Sequence, residues 1–305
     1  MEKKIYSRRF GGKFYTYFNK KISKIIFSRL RPDLIHTTYY DHDLVSQKKP
    51  VVLTVYDLIH EIYSKDFAFN NYYRPKKNII EKVDHFICIS KNKEKDLINY
   101  YGVDEKKTSV IYLSGFGSSK KFSIKHQHSK PFLLFVGTRK RYKNFSLLIK
   151  AYSSENFINS NFDLICFGGG KFNKEELELF KDHNLDLNKI HQIEGKDEIL
   201  ISLYRSATAY VCTSFYEGFG LTLLEAMQQG CPVLSSNTSS LPEVYGDAAL
   251  TFSPYSVEEL RKSLNKITSA DSTREELSKK GLKHAKNFTW EKCTQDTLKV
   301  YKSLI

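Results

Sequence analysis

Two carboxylates and two glycines are the first residues in this chain whose types and spacing suggest chemistry. In Ser214-Phe-Tyr-Glu-Gly-Phe-Gly-Leu-Thr-Leu-Leu-Glu225, Glu217 stands directly before Gly218, with Gly220 two further on, and Glu225 follows Glu217 after seven intervening residues. Upstream, the apolar run Ala209–Cys212 reads as a buried strand. Downstream, Leu221, Leu224, Ala226 and Met227 recur at helical spacing until Gly230 and Pro232 stop the pattern. In the order strand, glycine loop, helix, the unbonded N–H groups of the helix start face the loop and form an anion site. Glycines without a Cβ let backbone approach a ligand. Glu225, about one turn in, points back towards the same end. A carboxylate in an anion site needs a reason. A ligand that joins phosphate to hydroxyl-rich rings supplies one, because N–H groups take its oxygens and carboxylates accept from its hydroxyls. The plainer alternative is a helix start whose loop Glu complements the dipole.

A second loop offers the opposite charge. Thr138-Arg139-Lys140-Arg141-Tyr142-Lys143-Asn144 follows the apolar run at 131–137 and suits a diphosphate; a solvated basic loop is the alternative. Gly168-Gly-Gly170 after the run at 162–167 reads as a tight turn giving a nucleotide room. Tyr56-Asp57 and His60 sit at the end of the run at 50–56, where ligands gather in open α/β sheets.

The elements that must position these loops alternate. Strands are expected near 31–40, 50–56, 85–90, 110–113, 131–137, 162–167, 190–194, 209–212, 232–236 and 248–252, with helices between them. This pattern implies α/β architecture with parallel sheets covered on both faces. Ser90 is expected to cap a helix running to about Gly102, with Glu94 closing a capping box. Residues 114–130, rich in Ser, Gly and Lys, read as an interdomain linker.

The run from Phe215 to Val233 resembles the Glu-x7-Glu motif of family 4 retaining glycosyltransferases (glycosyl transferases group 1), and the 31–40 stretch is similar to that family's Pro-Asp-x-x-His-x-Thr-Tyr-Tyr run. The resemblance covers about residues 31–300. It implies the GT-B fold, two Rossmann-like domains facing across a cleft. The implied divisions are an N-terminal domain at 1–120, a linker at 121–130, a donor domain at 131–288, and a C-terminal helix at 289–305 crossing back. It further implies transfer of a hexose from a nucleotide diphosphate sugar to a carbohydrate or lipid-linked acceptor, without cofactor or metal. Glu217, Arg139 and Lys143 take the catalytic roles. Gly218, Phe219, Gly220, Leu221, Thr222 and Glu225 hold the donor, with Glu217 on the sugar and Glu225 on the ribose. Which of Arg139 and Arg141 meets the diphosphate is left open. Tyr56, Asp57 and His60 lie on the sugar or acceptor side. Tyr56 departs from the family, which has His there, and His60 is either a partial replacement or structural.

Composition sets outer bounds. At 305 residues the chain suits two domains with cores. The 48 basic against 34 acidic residues give +14, a balance fitting phosphorylated ligands, anionic membrane or nucleic acid. The basic residues are dispersed and carry no nucleic-acid recognition motif, so no nucleic-acid partner is expected. Cys88, Cys166, Cys212, Cys231 and Cys293 are scattered, with no metal spacing, and read as core residues in a reducing compartment. His126 and His128 read as parts of a solvated linker. The basic N-terminus has no apolar segment after it of the kind a signal peptide has, so a cytoplasmic protein is expected. Phe14, Phe18, Ile22, Ile25, Ile26 and Leu30 form a helical stripe beside Lys13, Lys20, Lys21 and Lys24. That segment either lies on an anionic membrane or packs on its own domain. Gly11-Gly12 alone could serve as an N-terminal glycine loop, and no strand precedes it. A reduced first domain of about four parallel strands is therefore expected.

Overall fold

The structure is a computed structural model. It describes residues 18, 21, 22, 25, 26, 29–38, 40, 49–63, 73–116, 128–139 and 141–305. The first half contains β1 (Ile35–Thr37), β2 (Val51–Val55), α1 (Ile59–Ile62), α2 (Tyr73–Ile80), β3 (His85–Cys88), α3 (Lys91–Tyr101) and β4 (Thr108–Val110). Among the described residues these strands form a four-stranded sheet in the order β1-β2-β3-β4, all pairs parallel. The two-residue period of a strand decides what each face meets. Val51, Leu53 and Val55 of β2, with Phe86 and Cys88 of β3, join Ile79 and Leu97 from the helices. Val52 and Ile87 face the other way. Two sequence expectations shift here. The strand expected at 110–113 lies at Thr108–Val110. Ser90 does cap α3, accepting from the Lys93 N–H at 3.1 Å, but Glu94 lies one residue too far for the box. Its carboxylate instead takes the Thr108 hydroxyl. The linker residues 117–127, Gly11, Gly12, Lys13, Phe14, Lys20 and Lys24 lie outside the described residues.

The second half runs β5 (Phe132–Val136), α4 (Phe145–Ser153), α5 (Asn156–Asn161), β6 (Asp163–Phe167), α6 (Lys174–Asp182), β7 (Ile190–Ile193), α7 (Asp197–Ser206), β8 (Ala209–Cys212), α8 (Leu221–Gln228), β9 (Val233–Ser236), α9 (Leu241–Tyr245), β10 (Leu250–Phe252), α10 (Val257–Ser269) and α11 (Asp271–Ala285). Its sheet has the order β10-β9-β8-β5-β6-β7, again parallel throughout. β5 is buried along its whole length, as an unbroken Phe-Leu-Leu-Phe-Val run demands of a strand covered on both faces. Leu133 and Phe135 pack with α4, while Phe132, Leu134 and Val136 face the core that includes α8.

The last helix, α12 (Trp290–Leu304), returns to the first sheet. Its Val300, with Cys293, Tyr301 and Leu304, covers the Val52–Ile87–Ile111 face. The Tyr301 hydroxyl also hydrogen-bonds His36. A second contact surface joins the halves near α8, where Phe219 meets Tyr112 and Phe288 at centroid separations of 5.9 Å each. No helix among the described residues is long and apolar enough to cross a membrane.

Candidate active site

β5 and β8 are adjacent in the second sheet, and from them the chain proceeds outward in opposite directions, to β6–β7 and to β9–β10. Loops leaving two such strands diverge and open a crevice at their C-terminal ends. The basic loop after β5 and the glycine loop after β8 leave at this point, and hydrogen bonds to backbone carbonyls stitch them together. The Phe215 N–H donates to the Tyr142 carbonyl at 2.8 Å, and the Thr213 hydroxyl to the Lys143 carbonyl at 2.8 Å. Asn144 turns the basic loop into α4 through a left-handed conformation (φ 52°), its amide anchored on the Pro254 carbonyl at 2.7 Å.

Across this seam Lys143 Nζ lies 2.6 Å from Glu217 Oε1, and the Ser214 hydroxyl donates to the same oxygen at 2.6 Å. Burial works against the Lys143 ammonium, but the Glu217 carboxylate outweighs it and the pKa is raised. Glu217 itself is held by its main chain. Its carbonyl accepts from the Ser239 and Ser240 hydroxyls at 2.9 and 3.0 Å, and Ser240 also reaches the Phe219 carbonyl. The site thus holds a cation and a carboxylate side by side on a rigid double loop.

Glu225 is different in kind. It lies on α8, half-buried, with the Tyr204 hydroxyl at 3.5 Å. Burial, followed by the field of Asp197, pushes its carboxyl up to about 7. Such a group suits hydroxyl donors.

The glycines divide their work. Gly220 needs its lack of a Cβ for a left-handed backbone (φ 112°) at the start of α8. Gly218 needs it for space, because a Cβ there would stand 2.4 Å from the Tyr56 carbonyl oxygen and 3.4 Å from Asp57 Cβ. Sequence reasoning gave Gly218 to a ligand; the structure gives its close approach to the first domain. This contact brings Tyr56 and Asp57, at the C-terminal end of β2, against the glycine loop. The Tyr56 side chain is exposed, and the Asp57 carboxylate accepts from the Ile59 N–H two residues on at 3.2 Å. His60 is half-buried within α1. Phe219 is core, Leu221 is exposed, and the Thr222 hydroxyl bonds the Tyr210 hydroxyl at 2.8 Å.

Arg139 stands apart from its expected place on a diphosphate. Its side chain is only 2% exposed and pairs with Glu176 at 2.7 Å. The guanidinium also donates to the carbonyls of Gly168 and Gly170 at 3.0 and 2.8 Å. It pins the glycine turn after β6 to the start of α6. The side chain of Arg141 lies outside the described residues.

Several residues that line the domain junction had no signal in the sequence. The Ser90 hydroxyl donates to the Gly218 carbonyl at 3.0 Å. Glu243, on α9, accepts from the N–H groups of Lys91 and Asn92 at 2.9 and 3.1 Å and from the Tyr112 hydroxyl at 3.0 Å. Lys93 is fully buried, its ammonium 3.5 Å from the centre of the Tyr216 ring. Lys93 and the Tyr216 hydroxyl both bond Asp96. Burial lowers the Lys93 pKa, with Asp96 working against it. Another revision concerns His128. It is not solvated, for its Nε2 lies 2.8 Å from Asp163 and the side chain is 16% exposed.

Residues 118–284 match the family model described as glycosyl transferases group 1, and residues 3–113 match that of glycosyltransferase family 4. The chain belongs to the glycosyl transferases group 1 family. Its two facing parallel sheets are the GT-B fold expected from the Glu217–Glu225 run. HepE of Anabaena, solved with UDP and glucose, superposes with a TM-score of 0.76 at 19% identity, covering 93% of this chain and 81% of that one. Among curated relatives, the O-antigen chain mannosyltransferase B of Escherichia coli is 37% identical over 175 residues, 57% of this chain and 46% of that protein. The serotype-specific mannosyltransferase WbdA of Escherichia coli is 27% identical over 301 residues, 87% of this chain and 36% of that protein. This chain therefore spans less than half the length of either relative it matches.

Proposed function

We propose that this GT-B protein is a retaining hexosyltransferase, taking its sugar from a nucleotide diphosphate donor and passing it to a carbohydrate or lipid-linked saccharide in cell-surface polysaccharide synthesis. The observation that carries the reading is the Lys143–Glu217 pair, 2.6 Å apart at the strand-order reversal of the second sheet, with Glu225 one helical turn behind it. Breaking the bond between the sugar and the diphosphate leaves negative charge on the diphosphate. Lys143 and the N-terminus of α8 stabilise that charge in place of a metal ion. Glu217 orients the sugar hydroxyls and Glu225 takes the ribose hydroxyls. Arg139 holds the glycine turn, so in this reading it supports the site through Gly168–Gly170. Tyr56 and Asp57 face the transferred sugar from the acceptor side. The mannosyltransferase names among the relatives support testing mannosyl donors first.

A panel of nucleotide sugars, followed by melting temperature and by transfer to saccharide in excess chelator, tests the reading. At least one donor is expected to raise the melting temperature and to be turned over without added metal. Glu217→Gln is expected to lower that transfer at least about tenfold, the effect of roughly 1.4 kcal/mol. Stabilisation by no donor overturns the proposal. Loss of transfer in chelator, restored by magnesium or manganese, overturns the metal-independent mechanism. Donor binding without transfer favours the second reading, a GT-B relative that binds nucleotide sugar without efficient turnover.

A further inference from the structure

A cluster unrelated to the cleft lies at the opposite end of the second sheet. Asp163 is the first residue of β6 and pairs in register with Phe132, the first residue of β5. It therefore sits about 13 Å from the C-terminal ends of these five-residue strands, at ~3.3 Å per residue. Its side chain is 6% exposed. Two imidazoles converge on one of its oxygens. His128 Nε2 stands 2.8 Å from Asp163 Oδ2, and His191 Nε2, from β7, stands 3.0 Å from it. The rings are 5.0 Å apart and steeply inclined, so both nitrogens face the same carboxylate. All three ligand atoms lie within 4.8 Å of one another.

We propose that His128, Asp163 and His191 form a binding site for a divalent transition-metal ion of the Zn2+ type. Tetrahedral zinc, with ligand bonds of about 2.0–2.1 Å, needs its ligand atoms roughly 3.3 Å apart. The two imidazole–carboxylate separations are a few tenths of an ångström short of this, and small ring movements supply the difference. Two imidazoles with one carboxylate are the donor set that zinc takes and that magnesium does not. The buried carboxylate supplies the negative charge that offsets half of the ion's. Each imidazole coordinates through Nε2, so its proton resides on Nδ1 in the bound state, and an imidazolium must give one proton up. The histidines remain partly open, at 16% and 34% exposure, which leaves the fourth position to water. The ion ties the segment entering β5 to β6 and β7, so its role is structural and distinct from the transfer cleft.

The test uses the untagged, chelator-treated 305-residue chain with Zn2+ alone, read by equilibrium dialysis and by melting temperature. Expected are one bound Zn2+ per chain at micromolar free metal, a raised melting temperature, and weaker binding as pH falls. His128→Ala and His191→Ala, on partly exposed side chains, are each expected to weaken binding at least about tenfold, and the double variant to abolish the thermal shift. Asp163→Asn tests the carboxylate, and the histidine variants stand if it fails to fold. No bound Zn2+ in the wild type, full stoichiometry in the double variant, or an equal response to Mg2+ overturns the proposal.

Discussion

Glu225 is the titrating group of the cleft. Burial first, then Asp197, lifts its carboxyl from the usual 4.5 to about 7. The folded state then keeps a proton that the unfolded chain releases, so stability is lost as pH rises from about 4.5 to about 7 and is flat outside that window. Glu225→Gln removes the penalty. Its melting temperature should equal that of the wild type below the window and exceed it above pH 7. Ribose hydroxyls that donate to the carboxylate favour its ionised form. Donor affinity should therefore rise about tenfold between pH 6 and pH 8 in the wild type, where only the ionised form binds, and stay flat in Glu225→Gln. The donor's diphosphate is a diester and does not titrate there. A wild-type affinity that does not change with pH removes Glu225 from the donor site. The two glutamates were legible because strand, loop and helix are consecutive, and that local order alone places both at one end. The destination of Arg139 was not legible, since charge type does not say whether a guanidinium meets a phosphate or three glycine carbonyls.

At the scale of elements, the turn after β6 shows what Arg139 does. Gly168, Gly169 and Gly170 all have left-handed backbones (φ 79°, 75° and 76°), and a Cβ on Gly169 would stand 2.7 Å from the guanidinium. Lysine cannot reproduce the planar fork. Arg139→Lys should cost on the order of 1–2 kcal/mol, since it loses the fork on Glu176 and leaves partly exposed glycine carbonyls to water, and should lower the melting temperature. Lys143→Met should instead cut transfer at least about tenfold with a smaller change in melting. The reverse ranking would return Arg139 to the diphosphate. The long apolar runs of β2, β5 and β8 were readable because both faces are buried. The edge strand β4 was displaced because Ile111 is buried by α12 as much as by its own sheet, and tertiary burial looks like a strand in sequence. Phe18, Ile22, Ile25, Ile26 and Leu30 of the N-terminal stripe are exposed, and we propose that this face meets an anionic membrane. Binding to vesicles of anionic lipid should follow, weakening in high salt and on neutral lipid. Binding unaffected by either would remove the electrostatic contribution of Lys21 and its neighbours.

For the whole molecule, the junction decides whether donor and acceptor sides act together. Glu243 reaches from the second domain to cap α3 of the first, satisfying two N–H groups and the Tyr112 hydroxyl. Ser90 bonds the Gly218 carbonyl beside it, and Lys93, Asp96 and Tyr216 close the same seam. None of this was legible, because residues 152 apart, as Lys91 and Glu243 are, share no local spacing. The groups proposed to hold the donor, Lys143, Glu217 and Glu225, all belong to the second domain, whereas Tyr56 and Asp57 belong to the first. Removing the clasp should therefore separate the two functions. In Glu243→Ala the helix start and the Tyr112 hydroxyl lose their acceptor, and the closed arrangement loses a charge-assisted set of bonds. Donor affinity should stay within about threefold of wild type, since uniform binding is untouched. Transfer should fall at least about tenfold, because Tyr56 and Asp57 no longer abut Gly218. Small-angle X-ray scattering should report a larger radius of gyration for the variant, and saturating donor should only partly restore it. Unchanged transfer with unchanged scattering would show that the clasp does not control closure. An equal loss of donor affinity and transfer would mean that Glu243 acts on the donor loop itself, through the Ser239–Ser240 hydroxyls that hold Glu217.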